Sequence, residues 1–189
     1  MDPIWLIRHG RPAAQWGGAD SDPGLAVEGL RQAEEVAAAF LALAKSERPV
    51  LIVSSPLARC RQTAQPLADA LRLPVEIEPK VGEIAASSHL TAENRGAWLR
   101  AALAGRWADI AGDIDYEEWR RGVHAAVAAR PRAAIFSHFV AINAVLSLIE
   151  GSEMVTRFRP DHASVTRLGL SAGEISILER GREAVTGVA

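Results

Sequence analysis

A chain of 189 residues has the length of one domain with room for a sizeable core. Its net charge of -2 gives no general attraction to nucleic acid or to an anionic membrane, so an anionic ligand has to be captured locally. The single cysteine, Cys60, excludes an internal disulfide and a cysteine-built zinc cluster, and no basic leader or span-length apolar run is visible, so the expectation is a cytoplasmic protein.

Taken in order, apolar residues 4–7 predict a first strand, which ends on Arg8-His9-Gly10. Residues 13–23, rich in Gly, Ala and Asp, predict a loop. From 27 to 45, Leu30, Ala33, Val36, Ala37, Phe40, Leu41 and Ala44 fall at helical spacing on one buried face. Pro49 leads into a compact buried strand at 50–53. Residues 56–71 predict a helix with Pro56 in its first turn and Pro66 kinking or interrupting it. A short strand follows at 75–77. Between 84 and 115 the alternation breaks down, which predicts an inserted helical cap or long loop. Residues 117–129 are amphipathic, with Trp119, Val123 and Val127 on one side. A buried strand at 133–136 precedes a helix at 140–149, and strands at 164–170 and 174–180 flank a turn at Ser171-Ala172-Gly173. Strands alternate with helices, and several strands are apolar on both faces. The expected fold is therefore α/β: a single three-layer domain over 1–189, its mostly parallel sheet flanked by helices, with a short helical cap insertion at about 84–115.

In an open α/β sheet, ligands bind beyond the carboxyl ends of the strands. Here the first strand ends in Arg8-His9-Gly10, the second in "SSPLAR" up to Arg59, and a later one in Ser137-His138. If these strands are neighbours, two arginines and two histidines converge on one edge. A phosphate dianion suits that convergence. Arginine offers a planar fork matched to phosphate oxygens, and histidine can attack phosphorus or donate to developing negative charge. Gly10 lets backbone approach a ligand, and the start of the following helix favours an anion.

The segments "LIRHG", "SSPLARCRQTA" and "FSH", in this order, resemble the histidine phosphatase superfamily, also called phosphoglycerate mutase-like, over nearly the whole chain, from Ile4 to "DHASVTRLGL". The resemblance implies a transient phosphohistidine on His9, a phosphoryl group held by Arg8, Arg59 and His138, and a carboxylate acid/base at Glu83 in "VGEIAAS". It implies a hydrolase that needs no metal and no cofactor. The chemistry accounts for these residue types. Phosphoryl transfer spreads charge over equatorial oxygens, so positioned cations and donors do most of the work. His9 must be unprotonated on its attacking nitrogen, with a backbone carbonyl holding the other, and Glu83 must be protonated when the ester leaves.

The sequence departs from the family pattern at four places. Phe139 replaces a glycine after the second histidine, a bulk that narrows the pocket or pushes the backbone away. Gln15 stands for a phosphate-binding asparagine, Ala26 for a capping hydroxyl, and "GEIAASS" lacks the usual continuation. Trp16, Phe139, His162 and His89 are candidates for the substrate rim. Cys60 reads as a small buried residue and Trp98, Trp107 and Trp119 as packing. The expected partner is a small phosphorylated metabolite or a phosphoprotein, with no nucleic acid and no membrane. The rivals are a cofactor-dependent phosphoglycerate mutase and an inactive phosphate-binding or interaction domain.

Overall fold

The computed structural model describes residues 1–14 and 22–184. Within them the elements run β1 (Asp2–Arg8), α1 (Val27–Ala42), β2 (Leu51–Ser54), α2 (Ala58–Leu71), β3 (Val75–Ile77), α3 (Ala92–Ala104), α4 (Tyr116–Ala128), β4 (Ala133–Ser137), α5 (Phe139–Ile149), β5 (Val165–Ser171) and β6 (Glu174–Glu179). They build one mixed six-stranded sheet in the order β3-β2-β4-β1-β5-β6. The four strands from β3 to β1 are parallel, and β5 and β6 extend the sheet antiparallel. The α/β reading holds, and the last two strands form the antiparallel edge.

Strand alternation distributes the core over both faces. Trp5, Ile7, Ile52, Ala134 and Phe136 pack with Val36 and Phe40 of α1 and Ala64 and Leu67 of α2. Ile4, Leu6, Val53, Ile135 and Leu168 face the other way, onto Val123 and Val127 of α4 and Val140, Ala144 and Val145 of α5. Both faces of β1 and β4 are thus sealed, as parallel strands require.

Two local expectations change. Pro66 does not interrupt α2, which runs unbroken from Ala58 to Leu71. The partner that its missing N–H abandons is the carbonyl of Gln62, an exposed residue, where water can serve instead. The buried stripe of α1 also runs through Gly29, Ala33, Val36, Ala37 and Phe40, leaving Leu30 50% exposed. Gly29 explains the rotation. A Cβ there would lie 2.1 Å from the carbonyl oxygen of Arg11, and one on Gly10 would lie 2.6 Å from the carbonyl oxygen of Gly29. The helix docks by its backbone against the turn that follows β1, and no larger residue fits between. Ala26 sits at the N-cap of α1 with no side-chain bond, as its chemistry dictates.

Gly29→Ala therefore sets two effects against each other. Helix propensity favours alanine by about 1 kcal/mol, while overpacking against unyielding backbone costs about 1–3 kcal/mol or more. The expected outcome is net destabilisation, read as a lower urea midpoint. A variant as stable as the parent would show that the contact between α1 and the turn is slack.

Candidate active site

The parallel register of β1 and β4 creates the site. Arg8 pairs with Ser137, so the next residues, His9 and His138, leave the sheet side by side. The His9 amide donates to the Ser137 carbonyl at 3.0 Å, and the two imidazole centroids are 5.2 Å apart. On the other flank of β4, β2 ends at Ser54, the Ser55 amide donates to the Phe136 carbonyl at 3.0 Å, and α2 begins soon enough to set Arg59 in its first turn. Glu83 follows β3 after a short turn over Pro79–Val81. Four parallel strands thus deliver their following residues to one place.

The four basic groups are buried: Arg8 5%, His9 4%, Arg59 5% and His138 0% exposed. His9 Nδ1 lies 2.8 Å from the carbonyl oxygen of Gly10 and donates to it, which leaves Nε2 as the nitrogen with a free lone pair. Arg59 Nη2 stands 3.2 Å from His138 Nδ1 and 3.5 Å from Glu83 Oε2. His138 Nδ1 is also 3.5 Å from that carboxylate oxygen, and its Nε2 lies 2.8 Å from Ser55 Oγ. Arg8 Nη1 donates to the Pro160 carbonyl at 2.9 Å, while its Nε is buried without a partner among the described residues. A buried guanidinium N–H without a partner is the kind of donor that an anion satisfies.

Burial, reinforced by the charges of Arg8 and Arg59, holds the His9 imidazole well below its usual range. His138 is lowered in the same way, by burial first and then by His9, Arg59 and Arg8. Burial pushes Glu83 up, against the pull of Arg59 and Arg8. Neutral imidazoles beside a carboxyl inclined to keep its proton are the ionisation states that nucleophilic attack with acid assistance needs. His9, Glu83 and His138 bring potential ligand atoms within 4.8 Å of one another. Arg59, however, already supplies a positive charge to two of the three, so the arrangement fits an anion better than a cation.

Arg8, His9, Arg59, Glu83 and His138 are therefore brought together. Gln15 and Trp16 lie outside the described residues. Phe139 is 4% exposed and packs in the core, with the Arg8 guanidinium carbon 5.5 Å from its ring centroid. It supports Arg8 from beneath, where a glycine would leave a void. His162 reaches the site, its ring centroid 5.8 Å from that of His9. His89 is exposed before α3 and joins none of the hydrogen bonds, ion pairs or ring contacts of the site among the described residues. Cys60 is fully buried with its thiol pushed up by burial, yet its Sγ lies 3.3 Å from His138 Nε2, so it packs against the site from below. The N-terminus of α2 does not stand open: the Ala58 amide donates to Asp22 Oδ1 at 2.8 Å.

Sequence reasoning missed three supports. Ser55 holds His138. Thr63 Oγ1 accepts from the Gly10 amide at 2.9 Å and donates to the Arg59 carbonyl at 2.6 Å, tying both motifs together. The Pro160 carbonyl anchors Arg8. Ser55 and Thr63 stand inside the quoted "SSPLARCRQTA" stretch and were within reach as buried hydroxyls. Nothing local marks a proline carbonyl as an arginine acceptor.

Among proteins of known sequence, the chain is 36% identical over 93 residues to the transcription factor tau 55 kDa subunit of Saccharomyces cerevisiae, a match spanning 44% of this chain and 21% of that protein. The chain thus matches about a fifth of that protein's length. Among solved structures, it resembles phosphoserine phosphatase of Entamoeba histolytica with a TM-score of 0.76 and 20% identity, covering 96% of this chain and 98% of that one. The alpha-ribazole phosphatase of Shigella flexneri gives a TM-score of 0.73 at 19% identity, covering 99% of this chain and all (100%) of the other. The family model that describes the histidine phosphatase superfamily, branch 1, matches residues 4–182. With its register-paired histidines and flanking arginines at the sheet's carboxyl edge, the chain belongs to the histidine phosphatase superfamily (branch 1).

Proposed function

We propose that the protein is a phosphatase that hydrolyses a phosphomonoester through a phosphohistidine on His9. The observation that carries the reading is the His9 Nδ1 bond to the Gly10 carbonyl at 2.8 Å, which leaves the Nε2 lone pair free in a buried cluster with Arg8, Arg59 and His138. In the first step, His9 Nε2 forms an N–P bond as the ester P–O bond breaks, and the leaving oxygen takes the Glu83 proton. In the second, water attacks phosphorus, passes a proton to the Glu83 carboxylate, and the N–P bond breaks to free neutral His9. Arg8 and Arg59 match the charge that develops on the equatorial oxygens, the part that cations play in phosphoryl transfer. The buried, orphaned Nε of Arg8 supports an oxyanion as the natural occupant.

The substrate class is a small phosphorylated metabolite, a reading supported by the likeness to a phosphoserine phosphatase and an alpha-ribazole phosphatase. No helix among the described residues is long and apolar enough to cross a membrane. The region 84–115, with α3, would act as the specificity-bearing cap of one domain. The partial likeness to a transcription factor subunit favours a second reading, a phosphate-binding interaction domain without turnover.

A screen over phosphomonoesters separates these readings. Release of inorganic phosphate without a bisphosphate primer is expected from the parent, with a loss of roughly 10⁴-fold or more in His9→Ala, the scale of removing a covalent nucleophile. Equal hydrolysis by both proteins would remove His9 from the reaction. Binding without turnover would favour the interaction domain, and primer-dependent transfer a mutase.

The acid/base role of Glu83 has its own signature in kcat/KM against pH. His9 must be unprotonated, and its range lies well below the usual histidine value, so the acid limb falls well under pH 6.5. Glu83 must be protonated, and burial raises it, so activity declines as pH rises through a value above the usual carboxylate range. Glu83→Gln is expected to lower kcat by about 10²–10⁴-fold and to erase the alkaline limb. An unchanged limb in that variant would assign it to another group.

A further inference from the structure

Three imidazoles, not two, meet in this pocket. His162 lies on the segment between α5 and β5, and its ring is tilted 48° to that of His9. It is half-buried at the mouth, and its ring nitrogens make no hydrogen bond to the described residues. Its backbone, by contrast, is braced from three sides. The Ala163 amide, in a left-handed conformation at φ 56°, donates to the Arg8 carbonyl at 3.1 Å. Arg182 donates to Asp161 Oδ2 at 3.0 Å and to the His162 carbonyl at 3.3 Å. From α5, the fully buried Asn143 accepts from the Arg157 and Phe158 amides at 2.7 and 3.0 Å. A segment held this firmly, in part by a strained residue, presents a side chain whose ring nitrogens are unused among the described residues.

Resting on the phosphoryl-transfer reading above, we propose that His162 is a third imidazole of the phosphoryl pocket, recruited as a cationic hydrogen-bond donor when a phosphate dianion docks beside His9. Among the described residues, the groups that face it are Arg8 and His9 from β1 and its end, Arg11 from the turn beyond, and Asp161 on its own segment, the last already paired with Arg182. Without a ligand, burial and then Arg8, with Arg11 adding to it, hold the imidazole down to about 4 against the pull of Asp161. His162 is thus neutral at pH 7, which spares the mouth a further positive charge beside two guanidiniums. A dianion reverses the local field and favours the charged ring. The proton comes from solvent: imidazole plus a solvent proton gives imidazolium, and no bond in the ester changes. Capture of the phosphoryl group then carries a proton uptake that belongs to His162.

The test is calorimetric titration of inorganic phosphate into the full chain near pH 7, in two buffers of different ionisation enthalpy. The parent is compared with His162→Asn and with His162→Gln, two neutral amides that keep the side chain polar. Both variants are expected to bind phosphate about 10-fold or more weakly, the worth of one hydrogen bond to a charged group, and to take up measurably fewer protons. Histidine-ring NMR of the parent should show one further imidazole becoming protonated on phosphate addition, a resonance missing from both variants. Equal affinity and proton uptake in parent and variants would overturn the proposal, as would a parent that binds no phosphate. Hydrolysis assays on the same samples keep the two readings apart. Turnover with unchanged phosphate binding in the variants removes His162 alone. Weakened phosphate binding in the variants, with no turnover by the parent, upholds His162 and removes hydrolysis.

Discussion

Two permanent positive charges, on Arg8 and Arg59, are held at about 5% exposure in one pocket, and the rest of the site follows from that constraint. Burial first, and the neighbouring guanidiniums in addition, hold the imidazoles of His9 and His138 well below their usual range. The desolvation that this demands is partly offset by Glu83 and Asp161, both close enough to favour a charged Arg8. The same kind of burial that disfavours the Arg8 charge also raises Glu83, while it lowers His9, so one environment shifts a base and an acid in opposite directions. The proposed reading puts a phosphoryl dianion among these groups, because opposite charge is what two buried guanidiniums favour.

The scaffold keeps such a crowd in place by rigidity. The β1–β4 register fixes the spacing of His9 and His138, and β4 is buried along its whole length. Thr63 couples the turn after β1 to α2 through two hydrogen bonds, and the backbone contact of Gly10 with Gly29 locks the same turn against α1. Phe139 fills the space beneath Arg8. The Pro160 carbonyl, on a segment held by Asn143 and Arg182, takes one of the Arg8 donors. Preorganised charge of this kind needs little rearrangement when the transition state forms.

Most of this was legible in the sequence where the physics is local or periodic. Apolar runs marked the strands, and the rule that ligands gather at strand carboxyl ends selected Arg8, His9, Arg59 and His138 before their strands were known to be neighbours. Glu83 was found through family likeness, because one carboxylate after a three-residue strand carries no distinguishing pattern of its own. The rotation of α1 escaped, since Leu30 looks like a core residue until the Gly29–Arg11 approach is seen. Phe139 was read as an obstacle in the pocket, whereas its ring packs under a guanidinium. The supports from Pro160 and Asn143 join positions 152 and 14–15 residues apart. Long-range hydrogen bonds of that kind leave no trace in composition or spacing.

The central claim is that His9 carries the phosphoryl group covalently. The most direct measurement is rapid mixing of the protein with a ³²P-labelled phosphomonoester, followed by alkaline quench and peptide mapping. The predicted result is one acid-labile, base-stable phosphoryl group on the peptide holding His9, formed before phosphate is released and absent from His9→Ala. Steady hydrolysis with no label on that peptide at any time would contradict it.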